Sequence, residues 1–343
     1  QPYAMKRCGV AALLLALLAR DAAGLNIAIT GTNSGIGLSA ATALLRQGHT
    51  VYHACRTEEG ARAAVVASGG GVPMVCDLAN LESVRSFAGD LSSQAPNLDV
   101  LCLNSGVSPS RKAEAPKRTV EGFEATIGIN HLGHFCLANL LQPVLATNAG
   151  TLVVTASGVH DPDTPGGTVQ GDAATGATLG DLSGLGATSG AAVMVDGATT
   201  YSGAKAYHDS KLCNVLFARE AHRRWAANSI CVRSFNPGLI TSTGLFRAAR
   251  ADNPFGTAVF SFVAESIARF SVPVEVGGAR LAYLATASKV EVASGSYLSA
   301  PSATSTATTR SEGFDEAQVS VEAQDDALAT QLWELSAQVV GIA

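Results

Sequence analysis

Charge is scarce in this chain of 343 residues: Asp, Glu, Lys and Arg make up 15% of it, against 47% apolar residues. That balance excludes a disordered polyelectrolyte and leaves ample material for a sizeable core. Basic excess is missing too. With a net charge of -5 and a pI near 5.8, there is no positive surface field to attract nucleic acid. The cysteines Cys8, Cys55, Cys76, Cys102, Cys136, Cys213 and Cys231 lack CxxC spacing and lie mostly inside apolar runs. They read as reduced, buried thiols of an intracellular type of compartment, not as disulfides or a metal site. No stretch is long enough to span a bilayer. The run Val10 to Ala19 after Met5-Lys6-Arg7 is too short for that, and residues 1–24 read as a targeting segment or as a leading helix packed on the domain.

From residue 25 onward, strand and helix patterns alternate, with no other repeat. Leu25 to Thr30 is an apolar strand leading into Gly31-Thr-Asn33-Ser34-Gly35-Ile36-Gly37, after which Ile36, Ala40, Leu44 and Leu45 recur at helical spacing. Strand, glycine turn and helix form the context a dinucleotide site requires. The glycines let the main chain approach a pyrophosphate, and the free amides at the helix start bind it. Strand two, Thr50 to Cys55, ends at Arg56, the position that chooses the cofactor. An acid there would hold the ribose hydroxyls of NAD, whereas a guanidinium pairs with the 2'-phosphate of NADP. Arg56 selects NADPH, with Glu58 and Glu59 as nearby competitors.

Strand three, Val72 to Cys76, runs into Asp77-Leu78; Asp77 caps the helix over Leu81 to Leu91, faces the adenine ring, or does both. Strand four, Leu98 to Leu103, precedes Asn104-Ser105-Gly106, small residues that would let a nicotinamide ribose lie close. In the helical segment that follows, His131 and His134 are three apart with no third ligand near and read as structural. Strand five, Thr151 to Thr155, delivers Ser157 at its carboxyl end, where open α/β sheets hold ligands. Residues 160–200 form a loop too long for a plain connection; lying between Ser157 and Tyr207, it is expected to cover the site as a lid. Strand six, Ser229 to Phe235, leads to the turn Asn236-Pro237-Gly238-Leu239 and on to Thr243. Residues 248–270 read as irregular then helical, capping the pocket from its other side. A helix from Glu275 to Thr286, a short strand from Gly295 to Leu298, a surface connection from Ala300 to Arg310 and a terminal helix from Glu316 to Val340 complete the chain. The alternation predicts a single α/β domain over 25–343, a doubly wound parallel sheet with helices on both faces.

The chemistry concentrates in Tyr201 to Asn214, on the pair Tyr207 and Lys211. Four residues apart on a helix, they share one face, so an ammonium can sit beside a phenol. A neighbouring cation is expected to lower the phenol's pKa from about 10 and fit Tyr207 as a general acid. The helix is apolar nearly all round at Leu212, Cys213, Val215, Leu216 and Phe217, as in a buried helix that could also serve an interface between subunits.

With Gly31 to Gly37, Asn104-Ser105-Gly106, Asn130, Ser157, Tyr207 and Lys211 in order, the chain resembles the short-chain dehydrogenase/reductases. It is similar to their light-dependent NADPH:protochlorophyllide oxidoreductase branch in Asn-His-Leu-Gly-His-Phe (130–135), Leu-Gly-Asp-Leu-Ser-Gly-Leu (179–185), the 204–214 segment, Thr-Gly-Leu-Phe (243–246) and Trp-Glu-Leu-Ser (333–336). The resemblance implies that NADPH gives a hydride to the ring D double bond of protochlorophyllide after the pigment absorbs light. It implies Tyr207 as proton donor, or as a group positioning the pigment, and Lys211 on the nicotinamide ribose, with Ser157 and Asn130 orienting substrate and a water relay. NADPH would be lined by Gly31, Asn33, Ser34, Gly35, Ile36, Gly37, Arg56, Asp77, Leu78, Asn104, Gly106, Tyr207, Lys211, Pro237, Gly238 and Thr243. It further implies a plastid location with peripheral membrane association; a homo-oligomer is left open. One departure stands out. Where that branch usually has Tyr-Pro-Gly-Cys, this chain has Asn236-Pro-Gly-Leu239, and leucine cannot donate a proton. Two further readings therefore stand beside the photoenzyme: a dark NADPH-dependent carbonyl or retinoid-type reductase, and a non-catalytic NADPH- or pigment-binding relative.

Overall fold

The computed structural model describes residues 24–110, 112–164, 166–168, 176–187, 192–262 and 271–342. Mostly apolar segments, with the acidic β8 as the exception, form the sheet: β1 (Asn26–Thr30), β2 (Thr50–Cys55), β3 (Val72–Val75), β4 (Val100–Leu103), β5 (Thr151–Thr155), β6 (Cys231–Phe235), β7 (Tyr297–Ser299) and β8 (Asp315–Glu316). Every residue of β4, β5 and β6 is buried, because helices cover both faces. The order is β3-β2-β1-β4-β5-β6-β7-β8, parallel throughout except for the β7–β8 pair. Successive βα units wind outward in opposite directions from β1 and β4, so a crevice opens beyond the carboxyl ends of these two neighbours.

The helices are α1 (Gly35–Arg46), α2 (Glu58–Ser68), α3 (Leu81–Gln94), α4 (Gly133–Thr147), α5 (Gly203–Trp225), α6 (Arg247–Asp252), α7 (Pro254–Phe262), α8 (Val274–Thr286) and α9 (Asp326–Val340). A helical turn at Ala125–Ile127 and a π-helical turn at Gly128–Leu132 feed α4. Side chains alternate across the sheet. Leu101 and Leu103 of β4 join a core with Phe87, Leu91, Phe135, Leu212, Leu216 and Trp333, while Val100 and Cys102 join Ile27, Ile29, Leu44, Leu281 and Leu284 on the other face.

The α5 helix expected to serve either core or interface is core. Phe217 stacks on Trp333 of α9 at 5.7 Å between centroids, and Phe135 meets the same indole edge-on at 4.9 Å. Its own chain thus buries α5 between α4 and α9.

Several boundaries differ from expectation. Asn80, not Asp77, caps α3: its Oδ1 accepts from the amides of Glu82 at 2.9 Å and Ser83 at 3.3 Å. Asp77 Oδ1 instead accepts from Ala79 N within its own turn. The terminal helix begins at Asp326, capped by Asp325, because residues 315–316 pair with β7 and Glu322–Gln324 forms a separate 3-10 turn. The 300–310 stretch is more than a surface connection. Buried Arg280 donates to Ser305 O at 2.8 Å and Ala307 O at 2.8 Å, anchoring it from beneath. The N-terminal segment, Cys8 included, lies outside the described residues; the other six cysteines are buried free thiols.

Candidate active site

The glycine turn closes on the ends of β1 and β4. Gly35 has φ +60°, a conformation that side chains rarely adopt. A Cβ at Gly37 would lie 2.3 Å from Gly31 O and 2.7 Å from Asn104 Nδ2, so the turn and the start of α1 pack main chain on main chain. That leaves a cradle only bare backbone can line, at a helix N-terminus, which fits a pyrophosphate. Ser34 flanks α1 in extended conformation, and the Thr243 side chain lies across the turn, 3.4 Å from a Cβ placed at Gly35. Asn33 reaches toward Gly60 at the start of α2. The Ile36 side chain packs against Gly277 of α8, leaving its main chain for a ligand.

Arg56 stands exposed at the end of β2, and its expected competitor Glu58 is held by Arg62 at 2.6 Å. Among the described residues Arg56 has no hydrogen bond or ion pair. Asp77 is half-buried beyond β3. The Leu78 side chain is buried in the core, close against Gly133, which leaves its main chain for a ligand.

Thr30 organises the nicotinamide end. Its Oγ1 accepts from the amides of Asn104 at 2.9 Å and Ser105 at 3.0 Å, and Asn104 Nδ2 donates to Thr30 O at 3.0 Å. Thr30's own proton therefore points to His134 Nε2, 2.9 Å away. His134 is left with Nδ1–H, which donates to Asn130 O at 3.1 Å. Burial, helped by the Lys211 charge and opposed by the Asn130 bond, pushes this imidazole down to about 3, so it is neutral. His131 is likewise buried, bonded to Ser336 Oγ at 2.8 Å. Both histidines hold elements together, as expected.

The Asn130 side chain is a clamp. Its Oδ1 accepts from Val107 N at 2.8 Å, while Nδ2 donates to Val107 O at 2.9 Å and to Ser210 Oγ at 3.0 Å. This ties the strand-four turn to α5. A Cβ on Gly106 would sit 3.5 Å from Asn130 Oδ1 and 3.7 Å from Lys211 Nζ, so these residues meet beside the cradle. Pro237 and Gly238 form the turn after β6, fixed by Arg280 Nη1 donating to Pro237 O at 2.9 Å and by Gly238 N donating to Asn236 Oδ1 at 3.1 Å.

Tyr207 is half-buried and its hydroxyl hydrogen-bonds the Ser157 side chain. Lys211 is buried, donates to Thr155 O at 3.2 Å, and lies 5.6 Å from the centre of the Tyr207 ring. The expected lowering of the phenol by its neighbour does not occur. Burial outweighs the Ser157 bond and pushes Tyr207 up to about 12. Burial also brings Lys211 down to about 8, which makes it the more readily exchanged proton of the pair.

Where it is described, one part of the 160–200 loop binds Gly158 O through Thr164, next to Ser157, and another lies behind α5. Thr178, Leu179 and Asp196 bind Lys205, Asp209 and Glu322, on the side of α5 turned away from Tyr207. Residues 169–175 and 188–191 of that loop, and 263–270 of the second capping segment, lie outside the described residues. Sequence reading missed Thr30, Lys205, Asp209 and Arg280. A threonine ending the first strand and a lysine four before an aspartate on the catalytic helix were the available signals.

Compared with known proteins, the chain matches a short chain dehydrogenase family model over residues 25–169. It is 37% identical over 327 residues to protochlorophyllide reductase A, chloroplastic, of Hordeum vulgare, covering 92% of this chain and 80% of that one. It is 37% identical to the protochlorophyllide reductase of Avena sativa, covering 92% of this chain and all of the relative (100%). Among solved structures, an uncharacterised protein from Mycobacterium paratuberculosis superposes with a TM-score of 0.65 at 27% identity, covering 93% of this chain and 94% of the other. The chain belongs to the short-chain dehydrogenase/reductase family, and within it to the group of the protochlorophyllide reductases. It is accordingly a nicotinamide-dependent oxidoreductase, built on the doubly wound sheet that family shares.

Proposed function

We propose that this protein reduces the ring D double bond of protochlorophyllide to give chlorophyllide, using NADPH and light. The observation that carries the reading is the meeting of Tyr207, Ser157 and Lys211 beside the glycine cradle, in a chain similar to protochlorophyllide reductases over 92% of its length. Bound NADPH supplies the hydride. The exposed Arg56, unpaired among the described residues, would hold its 2'-phosphate, the amides of the Gly31–Gly37 turn its pyrophosphate, and Lys211 and Asn104 its nicotinamide ribose. Tyr207, protonated at any working pH, would give the proton that completes the double-bond reduction, with Ser157 oriented to hold the phenol. Lys211, with its proton near balance, would replace it through solvent in the crevice. The chloroplastic names of relatives support a plastid compartment.

Leu239 favours one competing reading. No thiol stands after Pro237-Gly238, so a dark NADPH-dependent carbonyl reductase would use the same machinery. A flash experiment decides. Purified protein with NADPH and protochlorophyllide should convert the red absorption band only after illumination, and Tyr207→Phe should slow conversion by about a hundredfold or more while still binding NADPH. Dark turnover of a carbonyl substrate without photoconversion would replace the first reading by the second; pigment binding without turnover would refute both.

A further inference from the structure

Tyr207 uses one face of α5, and the opposite face carries a second ionic cluster that the reaction does not touch. Lys205 and Asp209 lie two residues either side of Tyr207, about 200° round the helix from it. Lys205 Nζ donates to Asp209 Oδ2 at 2.6 Å, Asp196 Oδ2 at 3.0 Å and Thr178 O at 2.9 Å. Those three acceptors match the three protons of an ammonium. Asp209, whose side chain is 0% exposed, accepts from Thr178 N at 3.1 Å through its other oxygen. Glu322 extends the set by accepting from Leu179 N at 2.7 Å, and Leu179, Leu182, Met194 and Val195 are buried beside it. A buried network with every member satisfied is stiff. Two stretches of the 160–200 insertion are thereby pinned to the rear of the first turns of α5.

The front of those turns is held separately. Tyr201 Oη donates to Glu124 Oε1 at 3.0 Å just before α5, and Ser210 Oγ donates to Tyr207 O at 2.7 Å while accepting from Asn130. Front ties alone fix a point on the helix; its rotation needs a hold on the far side.

We propose that Lys205 is a positioning residue for Tyr207: through Asp196 and Asp209 it fastens the insertion to the back of α5 and so sets the angle at which the phenol meets Ser157. The inference rests on Tyr207 as the proton donor. It gives the insertion a role as a brace behind the catalytic helix.

The test uses Asp196→Asn, which strips the charge from one arm at a partly exposed group and leaves the Lys205–Asp209 pair intact, together with Lys205→Met, Lys205→Arg and the Lys205→Met/Asp196→Asn double variant. Each is assayed for NADPH affinity, for kcat and KM under saturating light, and for the Tyr207 resonance in 13Cζ-tyrosine-labelled protein, assigned with Tyr207→Phe. The expected result for Asp196→Asn is kcat down by about tenfold, with NADPH affinity and KM retained and the Tyr207 resonance shifted. Lys205→Arg should recover part of what Lys205→Met loses, and the double variant should be no worse than Lys205→Met, since the two residues act as one unit. A folded Asp196→Asn protein with unchanged kcat and an unmoved resonance overturns the proposal, as does a parallel fall in kcat and NADPH affinity. If the wild-type protein does not convert pigment, the functional reading fails by itself, and the resonance still decides the brace.

Discussion

Replacing Lys211 by Met should abolish turnover yet make the protein more stable. Lys211 is 3% exposed, donates to Thr155 O and has no carboxylate partner among the described residues. Burial moves its pKa from 10.5 to about 8, so keeping the ammonium charged in the fold costs roughly 3 kcal/mol below pH 8. Methionine has a similar shape and no charge. Thr155 O would keep its bond from Asn214 Nδ2 at 3.1 Å, so the substitution gives up about 1 kcal/mol of hydrogen bonding and strands no acceptor. The net gain is about 2 kcal/mol, or about 3 °C in Tm for a chain this long. The pH dependence is the sharper test. Between pH 8 and 10.5 the folded lysine is neutral while the unfolded one is still charged, so the unfolded state binds more protons and wild-type stability rises with pH. The advantage of Lys211→Met should be constant below pH 8 and shrink above it. Thermal unfolding of both proteins from pH 6.5 to 10 measures this, and a variant that is less stable, or an advantage that does not change with pH, refutes the reasoning.

Arg56→Ala should weaken NADPH binding by about ten- to hundredfold, the loss of a charge-assisted contact of roughly 1.5–3 kcal/mol, and leave NADH affinity unchanged; equal effects on both would place the 2'-phosphate elsewhere. Gly37→Ala puts a methyl 2.3 Å from Gly31 O, and overpacking of this kind costs about 1–3 kcal/mol. The cradle should open and cofactor affinity fall by about tenfold or more in equilibrium titrations; wild-type affinity would show that the turn yields. Leu239→Cys should raise the yield of light-driven conversion per flash if the missing thiol limits it. No gain would assign the proton wholly to Tyr207 and its relay.

The mostly apolar strands were legible, β2 and β5 to the residue, because a sheet covered on both faces favours short apolar runs bounded by turns. β8 was not, since a two-residue strand has no periodicity. At the site, Tyr207, Lys211, Ser157 and Asn130 were found because their spacing follows the fold's alternation. What escaped depends on partners far along the chain. Asp196 and Lys205 meet at 3.0 Å across a glycine-rich segment, and Arg280 reaches Pro237 from α8; no local pattern announces either contact. The direction of the Tyr207 shift also escaped, because it follows from the burial of the phenol, which helical spacing alone does not give.

Because Trp333 packs on both Phe135 and Phe217, the hydrophobic interior on one side of the sheet is finished by a helix made long after the cradle. A nascent chain that has already built its dinucleotide cradle must wait, with an aromatic furrow open to water, until residues 326–340 clear the ribosome. Chaperone demand during synthesis, and sensitivity to changes that hinder the docking of that helix, should therefore concentrate at residues 326–340, remote in sequence from the glycine cradle.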